Sequence, residues 1–335
     1  MDVLSEILKS VTLEGALFYN AEFSAPWGVL SPESRRVAPV VAPQGGHVII
    51  FHLVTEGRGS ARLPEGENLP LDAGDVVVLP HGDAHILENG APRERQDNGK
   101  ELQRVIEQGL RLARMGGGGE LTKLVCGYMV WDPRLSRMVL SGLPPIFKVN
   151  IRADDAGRWI ESTIRFSVDQ AGGARPGDGA VLAKLSEVLF VETLRRYVDR
   201  WPEGRAGWLA GARDPEVGRA LALMHRRPAH PWTLADLARE AGISRSVLAE
   251  RFRLFMSQPP MAYLTRWRLQ LGARLLQTTS RSVADVATEV GYESEAAFNR
   301  AFKRSFGAPP ARFRQQARPA ARPAVPAARK PARSR

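Results

Sequence analysis

The sequence predicts an α+β chain of two domains: an N-terminal β-barrel or jelly roll with accessory helices, then an all-α domain carrying two helix-turn-helix motifs. Three observations predict it. Residues 15–135 hold many short β-rich runs broken by Gly, Pro and Asp turns, the pattern of an antiparallel barrel. After Leu143-Pro144-Pro145 the apolar period becomes helical. From Trp232 to Phe313 one pattern occurs twice, a short helix, a glycine turn and a second helix with basic and polar residues on one face.

In chain order, Val3, Leu4, Ile7, Leu8 and Val11 share one side of a short amphipathic helix. Strands are expected at Leu17–Tyr19, Ala25–Val29, His47–Val54, Ser60–Leu63, Leu69–Leu71 and Val76–Pro80, with a turn at 64–68. Residues 88–119 begin poor in apolar side chains and end in four glycines, an exposed insertion with a partial helix from Leu102 to Met115. Leu121–Trp131 returns to strand and closes the barrel. It contains Cys126, the one cysteine, so neither an intrachain disulfide nor a cysteine-based zinc site can form. Cys126 is a buried small hydrophobe, or a redox sensor if its thiol is exposed and electropositive.

Trp159, Ile160, Ile164 and Phe166 lie on one helix, ending near Ala171. The next helix, 180–201, has an apolar stripe from Leu182 to Trp201, widened by Val181, Phe190 and Val191. A stripe that wide can face the barrel alone or the barrel and a second subunit. Domain 1 therefore spans 1–201, with the barrel at about 15–135 and helices at about 150–201. Residues 202–213 read as a Gly/Ala-rich linker and 214–316 as the second domain, whose first helix turns Val217, Leu221 and Met224 inward. The tail, 317–335, is basic, Pro-rich and without acids, and is expected to be disordered with nonspecific phosphate affinity.

Each repeat is a helix-turn-helix by its own residues. In TLADLAREAGISRSVLAERFRLF (233–255), Leu234, Leu237 and Ala238 face inward, Gly242 ends the helix, and Ser244 caps a second helix with Leu248, Phe252 and Phe255 inside. In SVADVATEVGYESEAAFNRAFKRSF (282–306), Val283, Val286 and Ala287 precede Gly291, Ser294 caps, and Phe298, Phe302 and Phe306 recur every four residues. Ala238 and Ala287, each four residues before the turn glycine, let the helices cross closely. Left outside are Arg245, Ser246, Glu250, Arg251 and Arg253 in one copy, and Glu295, Asn299, Arg300, Lys303 and Arg304 in the other. Arg pairs bidentately with guanine and Asn with adenine when such a helix lies in the major groove.

Charge agrees with that placement. From Trp201 onward there are 24 Lys+Arg against 10 Asp+Glu, net +14, while the whole chain carries +11, leaving −3 for the first 200 residues. A basic C-terminal part on a near-neutral N-terminal part fits nucleic-acid binding at one end. No apolar run approaches the ~20 residues that span a bilayer, and the apolar helix faces have partners within the chain, so no membrane partner is expected.

The stretch LADLAREAGISRSVLAERF, the joining helix from Pro260 to Leu276, and VADVATEVGYESEAAFNRAFKRSFGAPPARFR resemble the DNA-binding domain of AraC/XylS-type transcription regulators. The resemblance covers about the last third of the chain. It implies a seven-helix domain in which one long helix holds two recognition helices a DNA turn apart, about 34 Å. A second resemblance is to the cupin barrel. Gly74-x5-Pro80-x-Gly82-x2-His85-x3-Asn89 matches its second motif, whereas the first keeps only Gly46 and His52, with Val54 where the second histidine would stand. Cupin enzymes use such histidines as metal ligands. Two of four remain here, fewer than the three protein ligands of a catalytic site, so no metal and no cofactor are expected. His47, His81 and Asp83 are the residues that could fill in.

Together these imply a cytoplasmic, nucleoid-associated regulator, not an enzyme, and an activator more than a repressor. Its partners would be double-stranded promoter DNA, RNA polymerase, an unknown small-molecule effector and, through the helices after the barrel, a second copy of the chain. A redox signal sensed by the N-terminal domain is the alternative input. The residues expected at DNA are Ser244, Arg245, Ser246, Glu250 and Arg253, then Ser294, Glu295, Asn299, Arg300 and Lys303, with Arg266 and Arg268 as further phosphate contacts. Trp27, His52 and His85 are the candidates for the effector, and the same two histidines for a metal if one binds. The alternative is a metal-dependent cupin enzyme with a DNA-binding appendage.

Overall fold

The computed structural model describes residues 3–9, 14–43, 45–97, 111–132, 139–140, 142–171, 176–201 and 206–317. The chain falls into two compact units. One comprises Met1–Arg227 with Trp232–Tyr263, the other Pro228–Pro231 with Leu264–Arg335.

The strands of the first unit are β1 (Glu14–Ser24), β2 (Trp27–Ser31), β3 (His47–Glu56), β4 (Arg58–Arg62), β5 (Leu69–Asp72), β6 (Asp75–Leu79), β7 (His85–Asn89), β8 (Gln96–Asp97), β9 (Arg111–Gly116), β10 (Leu121–Trp131) and β11 (Phe147–Asn150). They form two sheets, ordered β11-β6-β3-β10-β1-β9 and β5-β4-β7-β2-β8. Among the described residues no ladder joins the sheets into a ring, so the closed barrel of the sequence reading is corrected to an open pair of facing sheets. The core between them draws Tyr19, Phe23, Val54 and Leu124 from one sheet and Trp27, Val29, Ala61 and Leu87 from the other. Strand β3 is flanked by β10 and β6, and every residue from Val48 to Thr55 is buried. That two-sided burial explains its continuous apolar run.

The insertion also differs from expectation. Residues 98–110 lie outside the described residues, but the end of the expected helix, residues 111–115, falls in β9, a strand paired parallel to β1. The edge of β1 offers unpaired backbone there. Ala113 and Met115 alternate inward onto the core, a period of two that overrides the helical reading.

The helices of this unit are α1 (Val3–Lys9), α2 (Ala38–Val41), α3 (Asp155–Ala171), α4 (Asp178–Asp199), α5 (Trp208–Arg213), α6 (Pro215–Arg226), α7 (Leu234–Ala241) and α8 (Arg245–Met256). Val3 and Leu4 of α1 are buried, and α1 packs against α6. Helix α4 lies on β1, β10 and β11 and against α3, burying Leu182, Leu189, Phe190, Leu194 and Val198. Ile160 and Ile164 of α3 are buried, but Trp159 and Phe166 are 64 % and 67 % exposed, so they lie off the packed face. The link over 202–213 holds α5, with Trp208 and Leu209 buried. Asp214 caps α6, accepting from Val217 N–H at 2.9 Å, and Val217, Leu221 and Met224 are fully buried as expected.

Helix α9 (Pro260–Thr278) carries the chain from the first unit into the second. There follow α10 (Val283–Glu289), α11 (Glu295–Phe306) and α12 (Pro310–Ala317), making seven helices among the described residues from Pro215 onward. The second unit's core is Leu269, Ala273, Leu276, Val286, Phe298 and Phe302. Gly272 admits the Phe298 ring, which would stand 2.9 Å from a Cβ at that position. Of the expected disordered tail, Ala317 ends α12 and residues 318–335 lie outside the described residues. No helix among the described residues is long and apolar enough to cross a membrane.

Candidate functional site

In the first helix-turn-helix, Thr233 caps α7 in a capping box with Asp236. The Thr233 hydroxyl accepts from Asp236 N–H at 3.1 Å and the Asp236 carboxylate from Thr233 N–H at 3.2 Å. Gly242 closes the helix at φ 79°, in the left-handed region. Ser244 then caps α8, accepting from Val247 N–H at 3.3 Å. Leu237, Ala238, Leu248 and Phe252 fill the crossing. This leaves Ser244, Arg245, Ser246, Glu250 and Arg253 exposed along α8. Arg251 is not free to join them. It pairs with Asp214 and, at 3.1 Å, with Glu216, fastening α8 to the start of α6.

The second copy repeats the construction. Ser282 and Asp285 form a capping box, Gly291 turns at φ 87°, and Ser294 caps α11 by accepting from Ala297 N–H at 3.2 Å. Phe298 and Phe302 are fully buried. Ser294, Glu295, Arg300 and Lys303 are exposed. Asn299 is half-buried, its Nδ2 donating to Glu295 Oε1 at 3.4 Å. Arg266 is exposed, but Arg268 is corrected from phosphate contact to internal brace. Its guanidinium donates to the carbonyls of Pro228 and His230, each at 2.7 Å, beside Gly291, where a Cβ would come within 2.7 Å of Ala229 Cα.

A pocket opens between the two sheets of the first unit. Tyr19, Phe23, Ile50, His52, Leu124 and Cys126 line it from one sheet, and Val29, Ser31, His85 and Leu87 from the other, with Pro32. Its empty volume, with the open solvent at the mouth, is about 480 Å³. Among the described residues no Asp, Glu, Lys or Arg lines it. Trp27, the remaining effector candidate, is part of the core between the sheets. Its ring packs on Phe23 with centroids 5.0 Å apart, and its N–H donates to Thr122 Oγ1 at 3.3 Å.

The two histidines meet at the pocket wall, Nε2 to Nε2 at 2.8 Å. Burial pushes His85 down to about 4, and burial with the neighbouring His85 pushes His52 well below the usual histidine range. Both are therefore neutral near pH 7. The Asp83 carbonyl, 3.0 Å from His85 Nδ1, can only accept, so that nitrogen carries the proton and His85 Nε2 is bare. His52 Nε2 must then be the N–H donor between the rings. His52 Nδ1 is left an unprotonated acceptor, buried and without a partner among the described residues. Cys126 is in register with His52 on the adjacent strand, and burial pushes its thiol up, so thiolate is scarce.

This donor set does not fit a cupin metal. A cation would need both Nε2 atoms bare and aimed at it, whereas one donates to the other. Among the described residues no third His, Cys, Asp or Glu completes a ligand group. His47 and His81 lie 2.6 and 3.2 Å from the Pro80 and Leu143 carbonyls, to which they donate, and Glu56 pairs with Lys123 at the surface.

Sequence reasoning missed Tyr19, Phe23, Ser31 and Leu87 as pocket residues. The signal available was alternation: Tyr19 and Phe23 are four apart on β1, and Val29 and Ser31 two apart on β2. It also missed the clamp role of Arg251, which spacing alone could not separate from its exposed neighbours.

Comparison with known proteins adds the following. A cupin family model matches residues 2–199, and a helix-turn-helix domain model matches residues 237–316. An AraC-like transcription regulator from Streptomyces lividans is 34 % identical over 319 residues, covering 94 % of this chain and 98 % of that protein. An AraC-like transcription regulator from Streptomyces antibioticus is 33 % identical, covering 95 % and 100 %. Among solved structures, an AraC-type transcriptional regulator from Chromobacterium violaceum matches 32 % of this chain and 96 % of its own, with 29 % identity and a TM-score of 0.31.

Proposed function

This chain belongs to the AraC-like transcription regulators, with a cupin domain before the helix-turn-helix domain, and on that premise we propose how it reads DNA and what governs it. It is a DNA-binding transcription regulator. Its helices α8 and α11 enter successive major-groove segments of promoter DNA. Arg245, Ser246 and Glu250, then Glu295, Asn299 and Arg300, face base edges, and Ser244, Arg253, Ser294, Arg266 and Lys303 face phosphate. What supports this is the repeated local build: each helix begins at a serine cap just after a glycine turn and keeps these side chains off its packed face.

The domains divide at the 202–213 link, and the first governs the second through a small-molecule effector in the pocket beside His52 and His85. The buried, un-ionised Cys126 favours a bound molecule over a redox signal. The chain acts in the cytoplasm at the nucleoid, as an activator that contacts RNA polymerase, and pairs with a second copy through α3 and α4, where Trp159, Phe166, Val181 and Val188 stand exposed. It catalyses no reaction. The test is mapping of bound genomic sites for the wild type and for Arg245→Ala with Arg300→Ala. Discrete promoter peaks that the double variant loses support the reading; peaks that persist unchanged refute the placement of both helices.

A further inference from the structure

The pocket's chemistry narrows the ligand it takes, an inference that rests on the effector reading above. Three features act together. First, among the described residues the lining carries no ionisable group except two neutral histidines, the raised Cys126 thiol and Tyr19. A carboxylate or ammonium placed there would lose its hydration with no opposite charge to replace it, which excludes acids and amines in their charged forms. Second, most of the wall is Phe, Ile, Val, Leu and Pro, which rewards an apolar body. Third, His52 is 3 % exposed, and its Nδ1 is a bare acceptor that nothing in the described protein satisfies. A buried acceptor without a donor carries its full desolvation cost. Its tautomer is held by the chain His52 Nε2–H to His85 Nε2 and His85 Nδ1–H to the Asp83 carbonyl, so the ring cannot turn the vacancy into a donor without breaking that chain.

The geometry points to an uncharged, mainly apolar ligand with one hydrogen-bond donor, a phenol or a small alcohol, whose O–H donates to His52 Nδ1. The Ser31 hydroxyl across the pocket, on the strand paired with β7, is the second polar group such a ligand meets. The two histidines act here as a fixed acceptor, not as metal ligands. Discrimination comes from the donor: an analogue of the same shape without O–H leaves Nδ1 unpaired and binds about tenfold more weakly.

The experiment is calorimetric titration of the full-length protein at pH 7.5 with 4-ethylphenol, 4-ethylanisole, ethylbenzene, 4-ethylbenzoate and 1-hexanol. The expected result is binding of 4-ethylphenol or 1-hexanol. The anisole and ethylbenzene bind at least about tenfold more weakly than the phenol, and the benzoate does not bind. His52→Leu erases the preference for phenol over ethylbenzene while keeping the apolar part of the affinity. Should His52→Leu not fold, Leu87→Trp, which fills the space from the opposite sheet, must abolish binding of both. Equal affinity for ethylbenzene and the phenol, tighter binding of the benzoate, or no binding of either hydroxyl compound overturns the inference. Promoter binding measured in parallel separates the two readings. Phenol binding that leaves DNA affinity unchanged keeps the ligand class and refutes effector control, whereas a change in DNA affinity on adding the benzoate alone does the reverse.

Discussion

The Trp208 indole N–H donates to the Tyr263 hydroxyl at 2.8 Å, and that same hydroxyl stands 2.8 Å from Nε2 of His225. One phenol oxygen thus ties α5, in the link after the cupin domain, to α6 and to the first turn of α9. The rings stack nearly parallel, Trp208 on His225 at 13° and His225 on Tyr263 at 10°. Because the site is buried, Tyr263→Phe removes a partner from two ring nitrogens that water cannot reach. Denaturant unfolding should show a loss of about 1–3 kcal/mol, and an unchanged midpoint would mean the hydroxyl is not the tie.

Buried neutral histidines make stability depend on pH with a definite sign. His85 is pushed down to about 4 and His225 to about 3, both by burial. The unfolded chain binds a proton at each near pH 6.5 and the folded chain does not, so stability is full above that value and is lost as pH falls from about 6.5 toward 4 for His85 and toward 3 for His225. At pH 5.5 the loss is about 1.4 kcal/mol for each histidine. Urea melts at pH 7.5 and 5.5 should differ in this direction, and His85→Gln should remove its share. Stability that rises on acidification would contradict the burial of both rings.

Arg251 and Arg300 lie on the second helices of the two helix-turn-helix units yet predict different outcomes. Arg251 is engaged with Asp214 and Glu216, whereas Arg300 is exposed. Arg300→Ala should cost about 1–3 kcal/mol of site affinity and relax one base position, and Lys303→Ala should weaken all sequences alike and reduce the salt slope by about 1. Arg251→Ala should lower the unfolding midpoint, leaving the preferred base at each position unchanged. Binding-site selection and salt titration on the three variants check this.

Gly291 turns at φ 87°, where a Cβ would press on Ala229 backbone. Backbone cannot move aside cheaply as a flexible side chain does. Gly291→Ala should destabilise the second helix-turn-helix by at least about 1 kcal/mol, read as faster hydrogen exchange in α10 and α11. Exchange rates equal to wild type would show the turn tolerates a side chain.

Where the chain writes its structure in local pattern, the sequence was enough. Gly242, Gly291 and the caps Ser244 and Ser294 determine the helix-turn-helix units through backbone conformation and hydrogen bonds a few residues away. His85 begins β7 because the Gly74–Asn89 motif sets its two turns. Long-range pairing was not legible. Strand β9 exists because β1 leaves an open edge ninety residues earlier in the chain, and the polar insertion before it hid the alternation of Ala113 and Met115. Trp27, readable from sequence as core or as pocket wall, is core, and Phe166, which the sequence places on a helix without fixing its face, is exposed. The roles of Arg251 and Arg268 depend on partners 37 and 38–40 residues away, which no helical period encodes.

The central claim is that two exposed recognition helices read one promoter together. Competition binding of the full-length chain tests it most directly, with a mapped promoter site against a scrambled duplex of the same length and composition at moderate salt. The account predicts preference of at least about a thousandfold for the site, reduced by altering the bases under either helix. Equal affinity for the two duplexes would contradict it.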